Sequence, residues 1–565
     1  MRFNSFTLAT AATLIHASLA VPSPASHTFG TPRGRISRQR LNGRQSPASP
    51  PGYGGGSDGG DSVADYRANE VKKAFVTAWD GYFQYAFPND ELHPISNTFS
   101  NSFGGWGASA VDAFSTALVM ELPEIIDTIL NYIPTINFTD SINSEEISLF
   151  ETTIRYLGGL LSGYDLLKGP LAQYGGNSTA VDDVLGKAKE LADRLKFAFD
   201  TPTGIPHNGL FVGSQTYDAS DEDINGIATV GTLILEWTRL SDLTGDPQYA
   251  QLVKQAESYL VNAKYNSSVV DKPFPGLIGT NVNISNGLFQ DAFGGWVGGD
   301  DSYYEYLLKM YVYDTSRFGY LKDAWVAAAD ATIANLASNP STRPELTFVA
   351  EFNGTNLIYE SEHLACFDGG NFLLGGLVLG EQKYTDFGLA LVDGCEDTYN
   401  STLTKIGPEI FRWTVGNANV SCSAPNATAP GSCPGVPANQ SAFYEKAGFF
   451  ITNGAYILRP EVIESFYYAY RVTKDQKYRD YAWNAFVAIN TTTRAGSGYA
   501  EIGNVNAPDG GTKNDFQDSF LFAEVLKYSY LIHRPDAVYQ VDDNGKNNFV
   551  FNTEAHPFKV AGTPT

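Results

Sequence analysis

The stretch Leu458-Arg-Pro-Glu-Val-Ile-Glu-Ser-Phe-Tyr-Tyr-Ala-Tyr-Arg471 sets the plan of the whole chain. Pro460 suits the first position of a helix, where its missing N–H costs nothing, and Glu461 then lies in the first turn, where the helix dipole favours an anion. Glu461 and Glu464 are three residues apart and share a face. Phe466, Tyr467, Tyr468 and Tyr470 make the rest apolar nearly all round, as in a buried helix. Two carboxylates thus enter an aromatic interior. Taken alone, the stretch also fits a structural ion pair between Arg459 and Glu461, since such pairs perturb carboxyl groups too.

The same plan recurs along the chain. An aromatic helix from Ile227 to Leu243 leads through Thr244-Gly245-Asp246 into an amphipathic helix from Pro247 to Leu260. In the same way Glu461 to Val472 leads through Thr473-Lys474-Asp475 into Gln476 to Ile489. Comparable starts near Ala108, Leu149, Ile224, Asp301, His363, Arg459 and Asp515 give seven helical hairpins. The apolar period is helical far more often than alternating. Repeated hairpins bury a continuous core when they pack side by side, and about 500 residues suits a closed ring of them. The predicted fold is all-α, an α/α toroid. Gly104-Gly105, Gly158-Gly159, Gly294-Gly295 and Gly369-Gly370 read as turns shaping one mouth. Leu346 to Phe352 and Asn548 to Thr553 read as small β-hairpins.

The ends and the composition speak to compartment. Residues 1–20 have an early Arg, an apolar middle and a Ser-Leu-Ala end, the pattern of a secretory signal. Residues 21–60 are rich in Ser, Pro, Gly and Arg without apolar period and read as a disordered leader or propeptide, which leaves 61–565 as a single folded domain. Residues 1–60 hold six Arg and one Asp, so the remainder carries −29 against −24 for the whole chain. Such acidity argues against nucleic acid as a partner, because that binding relies on Lys and Arg, and suits neutral substrates or bound cations. No membrane anchor is expected, and secretion with a monomeric state is. Ten Asn-x-Ser/Thr sequons, at Asn137, Asn177, Asn266, Asn283, Asn353, Asn400, Asn419, Asn426, Asn439 and Asn490, agree with a secretory route. Four cysteines are expected to pair as Cys366 with Cys395 and Cys422 with Cys433, while no His stands at a zinc spacing from them.

Acids stand in or near the first turn of several aromatic helices: Asp112, Glu151, Asp301, Glu461, and later Asp518 and Glu524. If these helices line a toroid, their starts bring several carboxylates to one cavity, as glycoside hydrolysis requires: one acid protonates the leaving oxygen while one base activates water. Each has a plainer reading. Glu151 is followed four residues on by Arg155, an ordinary helix pair, and Asp300 or Asp301 fits an N-cap. Phe551-Asn-Thr-Glu-Ala-His-Pro557 supplies oxygen ligands of the kind calcium prefers, or a terminal turn. No Gly-x-Ser-x-Gly, phosphate loop or His-Glu-x-x-His motif is present.

In order, Ala78-Trp-Asp-Gly-Tyr82, Asp90-Glu-Leu92, Trp106-Gly-Ala108, Phe150 to Arg155 with Gly158 to Leu161, Ala198 to Pro206, Asp301 to Lys309, His363 to Phe367, Leu458 to Ser465 and Phe551 to Pro557 cover nearly all of the chain after the leader. Together they resemble the class I α-1,2-mannosidases, glycoside hydrolase family 47, of the secreted fungal type. The resemblance implies an (α/α)7 barrel plugged at one end by a hairpin. It also implies inverting hydrolysis of terminal α-1,2-linked mannose on high-mannose N-glycans. By the match, Glu461 is the base, Glu151 resembles the general acid and Asp301 is the third essential carboxylate, with the proton donor left between Glu151 and Asp301. Thr553 is implied to bind Ca2+, and Arg155, His363, Arg459, Glu464, Phe520, Glu524 and Glu554 to line the sugar site. Asp518 stands where the family commonly has Glu. Gly299 stands where the single-mannose enzymes of the endoplasmic reticulum have Arg, so trimming of several mannoses is expected. A catalytically weak glycan-recognition factor in glycoprotein quality control is the alternative.

Overall fold

The computed structural model describes residues 59–176, 178–218, 223–416 and 435–565. The predicted signal, nearly all of the leader, Cys422, Cys433 and the sequons at Asn177, Asn419 and Asn426 lie outside the described residues. Two sets of helices alternate along the chain. One set comprises α1 (Gly59–Tyr85), α3 (Pro123–Tyr132), α5 (Ser178–Leu195), α7 (Gln248–Val261), α9 (Gly319–Ala331), α11 (Gln382–Ser401) and α13 (Gln476–Thr492). The other comprises α2 (Ala108–Val119), α4 (Gly158–Leu167), α6 (Ile234–Thr244), α8 (Asp301–Tyr313), α10 (Phe367–Leu379), α12 (Glu461–Thr473) and α14 (Leu526–Leu531). Members of the second set pack in sequence, α2 on α4, α4 on α6 and so on to α12 on α14. The π-helical turn Leu521–Val525, which leads into α14, closes the circle against α2. This is a ring of seven inner helices with outer helices behind, the (α/α)7 barrel.

Burial separates the two sets. Every residue of α2 is buried, whereas α7 and α13 bury one stripe each. A helix that is apolar on all sides has to sit between layers, and one with a single stripe covers the outside. The two turns matched in the sequence are built alike. Gly245 (φ 71°) and Lys474 (φ 56°) end their helices in the left-handed conformation. Asp246 then accepts from the Gln248 N–H at 3.1 Å, and Asp475 accepts from the Lys477 N–H at 2.9 Å. These contacts satisfy N–H groups that the helix start leaves without partners.

Two local expectations are corrected. Pro460 is the residue before helix α12, with Glu461 as its first member. Gly158-Gly159 and Gly369-Gly370 are not turns: they lie at or near the starts of α4 and α10, inside the helices. Their small size serves packing, since a Cβ at Gly370 would stand 2.8 Å from the Tyr468 ring. Gly104-Gly105, with φ of 95° and 77°, is a turn as expected.

Strands are short and form separate small sheets of two to four strands, among the described residues. The hairpin of Phe549–Phe551 with Pro557–Lys559 packs against α8 and α4 inside the ring and plugs it. Its connecting turn, residues 552–556, therefore reaches the interior. Cys366 and Cys395 form a disulfide. No helix among the described residues is long and apolar enough to cross a membrane.

Candidate active site

Inside the ring is a cavity of ≈ 230 Å³. Glu151, Arg155, Asp301, Arg459, Glu461, Glu464, Phe520, Glu524, Thr553 and Glu554 all line it, together with Phe150, Gly298, Gly299 and Glu305. The acids arrive there for one reason: the inner helices and the turns that lead into them point the same way, so their first turns meet at one end. Thr553 and Glu554 come from the plugging turn. Ser148 caps the short helix Leu149–Thr152 by accepting from the Glu151 N–H at 3.1 Å, which fixes the start that carries Glu151.

Glu461 is held from behind. His363 Nδ1 is 2.9 Å from Glu461 Oε2, and Arg459 Nη1 is 3.7 Å from Oε1. Burial alone pushes this carboxyl up, but the His363 hydrogen bond and the Arg459 charge outweigh it, so the group is held below the usual range. Glu461 is an anion at neutral pH. The Arg459–Glu461 pair is present, but Arg459 has a second and closer partner in Glu409, whose Oε2 accepts from Nε at 2.8 Å. His363 is not on the cavity wall. It is 1 % exposed and stands one layer back, with both ring nitrogens engaged by protein groups.

Asp301 behaves in the opposite way. Its Oδ1 accepts from the Ser302 N–H at 2.6 Å, and Asp300 rather than Asp301 holds the N-cap position without a capping hydrogen bond. Burial, reinforced by the charges of Glu305 and Glu362, pushes Asp301 up to about 7. Glu151 is tied to Arg155, with Oε2 2.9 Å from both Nε and Nη2. Pushing neighbouring titratable groups in opposite directions is how a site keeps an acid and a base at one pH.

Arg155 sits among four carboxylates. Its Nη1 is 2.7 Å from Glu554, 3.6 Å from Asp112 and 4.0 Å from Asp518, besides the Glu151 contact. Its guanidinium lies over the rings of Phe103 and Phe520, 4.6 and 5.6 Å from their centroids. Burial pushes Asp518 up to about 6 even beside Arg155. Glu554 is raised well above the usual range by burial and by Asp112, Glu151 and Asp518, which together outweigh Arg155.

Glu464, Glu524 and Glu554 line the cavity together with Thr553, and all three carboxyls are raised. Burial pushes Glu464 up to about 8, with Glu305 and Glu461 adding to the rise against Lys309, and burial with Glu554, Glu464 and Glu461 raises Glu524. Glu554 Oε2 is buried without a hydrogen-bond partner. Among the described residues no group of three or more His, Cys, Asp or Glu is arranged to grip a metal directly. A hydroxyl and a backbone carbonyl at Thr553, ringed by carboxylates, fit a hard cation that keeps much of its water.

Several participants escaped the sequence reading. Glu305 lies one turn after Asp301 on the same face and pairs with Lys309, so the i, i+4 spacing could have found it. Glu409 comes from a distant loop with no local signal. Asn552 anchors the plugging turn: its Oδ1 accepts from the Glu554 and His556 N–H groups, and its Nδ2 donates to Ile154 O and Glu236.

Comparison with known proteins gives the following. The model of glycosyl hydrolase family 47 matches residues 74–560. A mannosyl-oligosaccharide alpha-1,2-mannosidase 1B of Aspergillus phoenicis is 56% identical over 497 residues, covering 88% of this chain and 92% of its own length. A mannosyl-oligosaccharide alpha-1,2-mannosidase of Penicillium citrinum is 54% identical over 495 residues, covering 88% and 92%. The solved structure of an alpha-1,2-mannosidase from Trichoderma reesei superposes with a TM-score of 0.83 at 50% identity, covering 88% of this chain and 99% of that one.

Proposed function

The chain belongs to glycosyl hydrolase family 47, and from that premise we propose how its own residues carry out the hydrolysis of terminal α-1,2-linked mannose from mannosyl-oligosaccharides. The family consists of inverting exo-α-mannosidases, and this protein is a mannosyl-oligosaccharide 1,2-α-mannosidase. A pure recognition role is not favoured. The observation that carries the mechanism is the meeting of Glu151, Asp301 and Glu461 in one cavity, where Asp301 is pushed up and Glu461 is held down.

Glu461 is the base. With Oε2 occupied by His363, Oε1 is the oxygen that takes the proton of the attacking water. The proton for the leaving oxygen comes from the other side of the pocket, from Asp301 or Glu151. Asp301, pushed up to about 7, keeps a protonated fraction at neutrality that grows as pH falls, whereas Glu151 is engaged by Arg155, so Asp301 is the donor or hands its proton on through a water. An inverting pair leaves room for a water, with carboxyls roughly 6.5 to 9.5 Å apart. Phe520 presents an aromatic face to the sugar. Arg155, Arg459, Glu464, Glu524 and Glu554 supply hydrogen bonds to its hydroxyls.

Family 47 enzymes are generally metal-dependent. The residues present fit calcium, which Thr553 would hold through its hydroxyl and backbone oxygen. When bound, the ion supplies positive charge to the acidic floor and a ligand position for sugar hydroxyls. The substrates are high-mannose N-glycans, met in the secretory pathway or after secretion. Gly299, on the cavity wall, leaves open space, since a Cβ there would find only Thr280, at 3.8 Å. That space suits removal of several mannoses per glycan.

Acid–base assignment is tested by the pH dependence of kcat/KM for Glu151→Gln, Asp301→Asn and Glu461→Gln. Glu461→Gln is expected to lose the acidic limb along with about 10²- to 10⁴-fold in rate, and Asp301→Asn to lose the alkaline limb. An unaltered alkaline limb in Asp301→Asn, with loss in Glu151→Gln, would transfer the donor role to Glu151.

A further inference from the structure

Behind the base lies a buried chain of polar groups. Tyr399, on outer helix α11, places its hydroxyl 2.7 Å from His363 Nε2, and His363 Nδ1 meets Glu461 Oε2 at 2.9 Å. Tyr456 spends its one hydroxyl proton on the backbone oxygen of Arg459, at 3.0 Å. Tyr399 is 4 % exposed and Tyr456 is fully buried. The Glu409 backbone oxygen accepts from the His363 N–H at 2.9 Å, while its carboxylate grips Arg459. The Cys366–Cys395 disulfide braces the same contact. Cys366 follows His363 by three residues, and Tyr399 follows Cys395 by four, one turn along α11 on the same face.

A neutral imidazole donates from one nitrogen and accepts at the other, and the partner of one nitrogen fixes which form is present. An ionised Glu461 needs the proton on Nδ1. Nε2 then needs a donor, and Tyr399 is the hydroxyl placed there. Burial and the charges of Glu461 and Glu409 raise the Tyr399 hydroxyl well above its usual range, so it keeps its proton.

We infer that Tyr399 is a positioning residue for catalysis: by donating to Nε2 it locks His363 in the Nδ1–H form, which occupies Glu461 Oε2 and leaves Oε1 to take the proton from water. This rests on the reading of Glu461 as the base. Tyr399 does not reach the sugar; it acts through His363. Without its donation the ring is free to turn a bare Nδ1 toward Glu461, which favours the protonated carboxyl and disarms the base.

The test is a double-mutant cycle of Tyr399→Phe and His363→Asn, read by the pH dependence of kcat/KM on a mannose disaccharide. The amide nitrogen of Asn stands near the position of Nδ1 and donates without a tautomer to be set. Other charged or titratable groups facing Glu461 are Arg459, Glu464 and Glu524, and all remain in every variant. Tyr399→Phe alone is expected to lower kcat on the order of tenfold or more, with KM changed less than about twofold. It should also move the acidic limb upward by about one pH unit. In the His363→Asn background the same change should cost less than about twofold and leave the limb where it is. An equal loss in both backgrounds, or an unmoved limb, overturns the inference. Full activity of Glu461→Gln would instead overturn the base assignment itself. If Tyr399→Phe does not fold, ¹⁵N NMR of histidine-labelled wild-type protein reads the tautomer directly, with His363→Asn identifying the signal. A protonated Nδ1 and a bare Nε2 are expected, and the reverse pattern overturns the inference.

Discussion

Replacing Arg155 by Met removes the one guanidinium that holds Glu151, Glu554, Asp112 and Asp518 together. Arg155 is 5 % exposed and Asp112 fully buried, so the change leaves carboxylates in the interior without their nearest cation. Breaking one side of a buried ion pair costs about 3–5 kcal/mol. The roughly 500 residues after the leader unfold with an entropy of about 1 kcal/mol per kelvin, so the melting temperature should fall by about 3–5 °C at pH 7. The sign of the pH dependence follows from protonation. Asp518, already at about 6, and Glu554, already raised, rise further without Arg155 and bind protons in the folded state that the unfolded chain has released. The variant therefore regains stability faster than the wild type as pH falls from 7 to 5, and the gap between them narrows. Differential scanning calorimetry at both pH values checks this. An unchanged melting temperature at pH 7, or a gap of the same size at both pH values, refutes the reasoning.

The unmodified protein should respond to pH and calcium together. Asp518, Asp301 and Glu464, at about 6, 7 and 8, hold protons in the folded state that unfolded carboxyls lose near pH 4, so stability falls as pH rises from 5 to 7 by about 1.4 kcal/mol per unit for each proton held. A calcium ion held at the acidic floor would oppose that loss, so added calcium is expected to raise the melting temperature more at pH 7 than at pH 5; equal shifts, or none, contradict the fit of the floor to a cation. Cys395→Ser opens a cross-link spanning 29 residues and should cost about 3–4 kcal/mol in urea denaturation; a cost near zero would show that the folded state alone sets this contact. Gly299→Arg should keep the first mannose cleavage and slow the later ones in a time course on a high-mannose glycan, at about 1–2 kcal/mol of backbone strain from φ 94°. Unaltered progress through all cleavages would deny the cavity wall at Gly299 a part in branch choice.

Much of the architecture is legible in the sequence because the inner helices announce themselves. Between its two acids and Arg471, the helix from Glu461 is apolar nearly all round, and only a helix between two layers has that use for aromatic residues. The Thr-x-Asp turns at Thr244 and Thr473 repeat because the same N–H groups need the same partner. Local rules fail where a contact spans the ring. Nothing near Arg459 in sequence marks Glu409 as its closer partner, and nothing near His363 marks Tyr399, since both meet only after the ring closes. Gly158-Gly159 and Gly369-Gly370 look like turns by composition, yet serve close helix packing that depends on neighbours such as Tyr468. His363 is placed among the sugar contacts by the family resemblance alone. Burial and two engaged nitrogens give it a different place, behind Glu461.

The most direct test of the account is the anomer released from a defined high-mannose N-glycan by the purified protein, followed by proton NMR in the first minutes. Water activated by Glu461 on the face opposite the leaving oxygen predicts β-mannose first, with release stopping on calcium chelation and returning when calcium is restored. Initial release of α-mannose would contradict the inverting pair, and undiminished release after chelation would contradict the role given to Thr553.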